Sequence, residues 1–156
     1  MKAIAPILAV ALLTLPVSAA DPTGFALWKA VDLKVHDAAL SKNVAADHSS
    51  RETLADYGDH RFRMLYRDAD GNPEQHDQII DIVMVQSGEG TLQLGGMMID
   101  RRTTTPGEYV GTRLEGGERH ALGPGDIVHI PAGIPHSFLV PSGKHFTYVL
   151  LKIPAR

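Results

Sequence analysis

Two short stretches of this chain carry the residue types that bind cations or move protons. The first is Glu74-Gln75-His76, followed within the next few residues by Asp81. Glu74 and His76 are two apart, so in a strand both side chains stand on one face. Asp81 is an odd number of positions from His76 and falls on the opposite face of a regular strand. It joins them only if the chain bends or bulges around 77–79. The second stretch runs from Gly125 to His136, where Pro131-Ala132-Gly133 breaks the chain just before the histidine. Imidazole is both a common metal ligand and the side chain that titrates nearest neutrality, so His76 and His136 suit either task. Asp81 lies in the otherwise apolar run Ile79–Gln86. A lone buried carboxylate is costly there and needs a cation, either a metal or an arginine such as Arg63. Glu74 follows Pro73 and needs no partner if it stands at the surface.

These spacings resemble the two signature motifs of the cupin superfamily. The first family motif runs Gly, five residues, His-x-His, three or four residues, Glu, six residues, Gly. The second runs Gly, five residues, Pro-x-Gly, two residues, His, three residues, Asn. His76, Asp81 and Gly88 match the first, with Gly71 the nearest candidate for its opening Gly. Gly125, Pro131, Gly133 and His136 match the second, and GDIVHIPAGIPHSF (Gly125–Phe138) is close to the family's commonest wording. The resemblance covers Arg61 to Ile153 and implies an all-β fold, an antiparallel jelly-roll barrel (a double-stranded β-helix). It also implies one divalent metal in the barrel, with His76, Asp81, His136 and Glu74 as its ligands. Three positions depart from the family pattern: Glu74 replaces the first His, Asp81 the Glu and Val140 the Asn. Two imidazoles and two carboxylates around a divalent ion sum to zero charge, and their oxygens favour Fe, Mn or Zn over copper(I).

Two imidazoles and one carboxylate with open positions is also the non-haem iron oxygenase arrangement. The resemblance therefore implies action on a small molecule, of dioxygenase, isomerase or lyase type, without choosing the reaction. The alternative is a non-catalytic periplasmic module that binds a metal or a small ligand. Cupins commonly pair through their sheets, which implies a homodimer. His60, His120 and His145 are further histidines that can replace a missing ligand, and His129 can face the cavity or serve as a core or interface residue.

The elements that must position these groups are short. Met1–Ala20 has one cation, an apolar run and small residues at its end, the grammar of a secretory signal peptide. It predicts a periplasmic or secreted protein that is soluble once the signal is removed. Residues 21–59 read as a helix and loop extension, with Asp32 capping a helix that carries Val35, Ala38, Ala39 and Leu40. From His60 to Arg156 the period is two, with Gly and Pro turns, which predicts the barrel. Phe62, Met64 and Tyr66 alternate with Arg61, Arg63 and Leu65 in a half-buried strand. Ile79–Gln86 is apolar on both faces and reads as a central strand. The polar segment from Arg101 to Gly117 reads as a hairpin, either a substrate lid or a dimer arm.

Composition narrows the field further. The 156 residues include no Cys, which excludes disulfides, thiolate metal sites and a cysteine nucleophile. A net charge of −3 with scattered Lys and Arg gives no basic stripe for nucleic acid.

Overall fold

The computed structural model describes residues 20–156, so the signal-peptide reading lies outside the described residues except for Ala20. Strands are numbered along the chain. A five-stranded antiparallel sheet holds, in spatial order, β1 (Ser49–Asp56), β2 (Arg61–Arg67), β13 (Phe146–Pro154), β4 (Ile79–Gly88) and β11 (Ile127–Ile130). A six-stranded sheet holds β10 (Glu118–Leu122), β5 (Gly90–Leu94), β12 (His136–Leu139), β3 (Glu74–His76), β8 (Glu108–Val110) and β7 (Arg102–Thr105). A small ladder pairs β6 (Met97–Ile99) with β9 (Arg113–Glu115). The two large sheets face each other across one core, in which Val83, Val85, Phe146 and Tyr148 meet Leu92 and Phe138. This is the predicted jelly-roll barrel, and it starts earlier than the change of period at His60: the polar stretch from Ser49 is already β1, at the sheet edge.

Helix α1 (Ala30–Leu40) covers the outside of the five-stranded sheet. Asp32 does cap it, but from the third helical position, where its carboxylate accepts the Lys29 N–H at 3.3 Å. The helix explains why β4 is apolar on both faces. Val83 and Val85 enter the barrel core, while Met84 joins Leu33, Leu40, Met64 and Val149 beneath α1. The cover for the outer face is thus supplied within the chain. No helix among the described residues is long and apolar enough to cross a membrane.

The same two-faced arrangement decides which face of β2 is inside. A half-buried strand ordinarily turns its charges to water. Here Phe62, Met64 and Tyr66 face outward into the α1 cluster, and Arg63, Leu65 and Arg67 face the barrel interior.

Gly88 closes the first motif for a structural reason. Its φ is +72°, and a Cβ there would lie 2.0 Å from the His145 carbonyl oxygen. Gly125 also has positive φ, +94°, but open space around it. Gly88→Ala is therefore expected to cost about 2–3 kcal/mol and lower the melting temperature by about 5–10 °C, whereas Gly125→Ala costs about 1 kcal/mol. Chemical denaturation of both variants checks this; equal losses would mean that conformation alone, not the contact with His145, fixes Gly88.

Candidate metal centre

Asp81 reaches the histidines by a route that strand parity does not anticipate. No bulge within one strand is involved: the chain leaves the six-stranded sheet after His76 and enters the other sheet at Ile79. The corner is pinned by two backbone bonds, Asp77 N–H to the Gly107 carbonyl and Ala155 N–H to the Gln78 carbonyl, both 2.8 Å. His136 opens β12 directly opposite Glu74. The Pro-Ala-Gly break before it is tied to the first motif, because the Gly133 N–H donates to the His76 carbonyl at 2.7 Å.

All four predicted residues meet there. Nε2 of His76 lies 3.5 Å from Glu74 Oε2 and 3.6 Å from Asp81 Oδ2, and Nε2 of His136 is also 3.6 Å from Asp81 Oδ2. Ligand atoms of Glu74, His76 and His136 all lie within 4.8 Å of one another. Asp81, His136 and His76 are 2%, 4% and 7% exposed, so water does little to satisfy them. The other ring nitrogens are engaged. Nδ1 of His76 is 2.5 Å from Glu108 Oε2, and Nδ1 of His136 is 3.0 Å from the Ile134 carbonyl oxygen. An ionised carboxylate and a carbonyl can only accept, so both Nδ1 atoms carry a proton and both Nε2 atoms face the cluster, offering a lone pair to a cation when the ring is neutral and an N–H to Glu74 or Asp81 when it is protonated.

Charge follows from the same contacts. Burial opposes ionisation of Glu74, yet the bond from His76 and the nearby Lys152 charge outweigh it and bring its pKa to about 2. Asp81 is likewise opposed by burial but held below its ordinary value by His136 and Lys152. Burial opposes protonation of His76, but Glu74, Asp81 and Glu108 raise its pKa overall.

These donors fit a divalent ion. Two ligands at about 2.0–2.1 Å from a tetrahedral centre are about 3.4 Å apart; the His76–Glu74 pair matches this at 3.5 Å, and the three-residue set with His136 closes within 4.8 Å. Histidines whose second nitrogen is fixed by a carboxylate or carbonyl are the usual form of metal-binding imidazole. One group competes for the same space. Lys152 Nζ lies 2.8 Å from His76 Nε2, and 2.9 and 3.0 Å from the two oxygens of Asp81. Lys152 stands opposite Asp81 on the β13–β4 ladder, and its side chain remains 22% exposed. The ion pair of Asp81 is therefore with Lys152, not Arg63. Glu74, His76 and His136 form the set a metal would use, and His76 joins it only once the ammonium withdraws from its Nε2.

No family model matches the sequence, and no curated protein does either. Solved structures do match. KdgF from Halomonas sp. superposes with a TM-score of 0.51 at 22% identity, over 70% of this chain and 82% of that one. Rru_A2000 from Rhodospirillum rubrum, described as a cupin-2 domain, gives 0.50 at 18% identity, over 70% and 62%. The chain has the cupin fold. A chain from the structures of the DMSP lyases RdDddP and RnDddQII gives 0.51 at 17% identity, over 74% and 53%.

Within this cupin barrel the remaining candidates are not among the converging donors. His129 and His120 are exposed, His60 stacks on Tyr57 and His145 on Tyr66. Val140, at the Asn position of the second motif, is buried, and its N–H donates to Asp70. Two residues of the site escaped the sequence reading. Glu108 lies in the polar segment from Arg101 to Gly117, on the β7–β8 hairpin that extends the sheet beside β3. Lys152 had a visible signal, since it interrupts the apolar run Phe146–Ile153 just as Asp81 interrupts Ile79–Gln86.

Proposed function

We propose that this cupin is a metal-dependent enzyme acting on a small molecule by proton transfer, of lyase or isomerase type. The observation that carries the reading is the convergence of two Nε2 lone pairs and the Glu74 carboxylate, with both Nδ1 atoms tied back. A bound Mn, Fe or Zn ion would supply Lewis acidity toward a carbonyl or carboxylate oxygen. Glu108 and the Ile134 carbonyl orient the imidazoles. Lys152 Nζ holds a proton between Asp81 and His76, at the edge of the donor set, where it can be passed to or taken from a bound molecule. A site so rich in proton-carrying groups favours this chemistry over the dioxygenase alternative. Following the Met1–Ala20 leader, the reading places the enzyme in the periplasm or outside the cell.

A second reading has its own observation. The 2.8 Å contact from Lys152 to His76 suits a non-catalytic binder in which the ammonium is the resident cation. Elemental analysis and metal titration of protein purified without added ions separate the two. The proposal expects about one equivalent of Mn, Fe or Zn and no oxygen consumption by the iron form across a panel of diols, diketones and hydroxy acids. Less than about a tenth of an equivalent after titration supports the binder; oxygen uptake with any member restores the dioxygenase.

A further inference from the structure

Beside the donor set the barrel interior is lined by cations. Arg51, Arg63, Arg67 and Lys152 face one cavity against only two carboxylates, Glu74 and Asp81, an excess of two positive charges. Lys152 is neutralised by Asp81. None of the three arginines has a carboxylate within ion-pair distance among the described residues, although Asp56 and Glu115 take up Arg61 and Arg113. Arg67 donates only to the buried Tyr148 hydroxyl, at 3.4 Å. Arg63 and Arg67 are half-buried on the inward face of β2, where a guanidinium without a partner gives up part of its hydration, while Arg51 is exposed. Burial, then the charges of Arg61 and Arg51, push the Arg63 pKa down and outweigh the opposing pull of Glu74 and Asp56.

The scaffold keeps this arrangement in place. Arg63 and Arg67 share the inward face of β2, and Arg51 pairs with Leu65 between them. Gly71, the residue nearest the opening Gly of the first motif, leaves room for Arg67: a Cβ there would lie 2.9 Å from the guanidinium carbon. The cavity holds about 50 Å³. At roughly 10–15 Å³ per water this admits three to five water-sized groups, the size of a carboxylate and the carbon that bears it. Arg63, Glu74 and Lys152 also line a wider, open pocket toward Tyr109, so a longer molecule can extend outward from the anchored end.

We infer that this cavity is an anion subsite, in which the forked guanidinium groups of Arg63 and Arg67 hold the carboxylate of a small organic acid beside the metal ligands. The inference rests on the proposed function for the reacting end of the molecule and stands independently of it for the anchored end. The test is calorimetric titration with malonate, its neutral diamide malonamide, and inorganic phosphate. Wild-type protein should bind malonate and ignore malonamide. Arg63→Gln and Arg67→Gln should each weaken malonate about tenfold or more while taking up metal normally, and Arg63→Lys should recover only part of the loss. Malonate binding that survives both Gln variants, equal binding of the diamide, or tighter binding of phosphate overturns the carboxylate assignment. Chelator-treated, metal-free wild-type protein keeps the two readings apart: malonate binding that persists there supports the subsite without the metal, and malonate binding that appears only after Zn or Mn is restored shows that the anion sits on the metal instead.

Discussion

The His136→Ala protein is expected to fold and to take up less than about a tenth of an equivalent of Zn or Mn under conditions that saturate the wild type. Removing an outer hydrogen-bond partner of a metal-bound imidazole typically costs about 10–100-fold in affinity, and removing the imidazole itself costs more. Glu108→Gln, which keeps the shape of the acceptor but not its charge, is thus expected to fall between, at about tenfold weaker uptake. The control is His145→Ala: its ring stacks on Tyr66 and bonds to Ser87, away from the donor set, so its uptake should match the wild type. Loss in the control equal to that in His136→Ala would remove His136 from the site. Unchanged uptake in both would place the metal elsewhere in the barrel.

What the sequence disclosed, and what it withheld, follows from the range of the forces involved. The two motifs are local patterns in which Gly and Pro set turns, and it is their resemblance to the cupin motifs that implied the pairing of His76 with His136. Asp81 could be suspected because a carboxylate in an apolar strand needs a partner, but its partner could not be named. Lys152 is 71 residues from Asp81, and only the β13–β4 register brings them together. Period-two alternation in β2 separated Phe62, Met64 and Tyr66 from the arginines correctly. It could not say which face was inside, because α1 offers the apolar set a second hydrophobic site outside the barrel. That ambiguity concealed the cationic interior. Glu108 was hidden differently, in a polar segment whose pairing with β3 has no hydrophobic signal.

Replacing Lys152 with Met should give the largest change in stability and reverse its sign when metal is present. Without the ammonium, Asp81 keeps only its histidine contacts in a site where its side chain is 3% exposed. Breaking a buried pair from one side costs about 3–5 kcal/mol, so the metal-free variant should melt about 6–20 °C below the wild type. Asp81 is held below its ordinary pKa, so the stability it contributes is complete above about pH 3.9 and is lost as the pH falls through its folded value. The gap between variant and wild type should accordingly narrow in acid, where Asp81 is neutral in both. Adding Asp81→Asn to the variant should restore most of the loss at neutral pH, since no uncompensated charge remains. With metal the order changes: the ion no longer competes with an ammonium for His76, and Asp81 is free to become a fourth ligand. Uptake by Lys152→Met is then expected to be at least about tenfold tighter, with a larger metal-induced rise in melting temperature than in the wild type. A variant that is destabilised but gains nothing from Zn or Mn would identify Lys152 as the permanent cation of the site and defeat the metal-dependent reading.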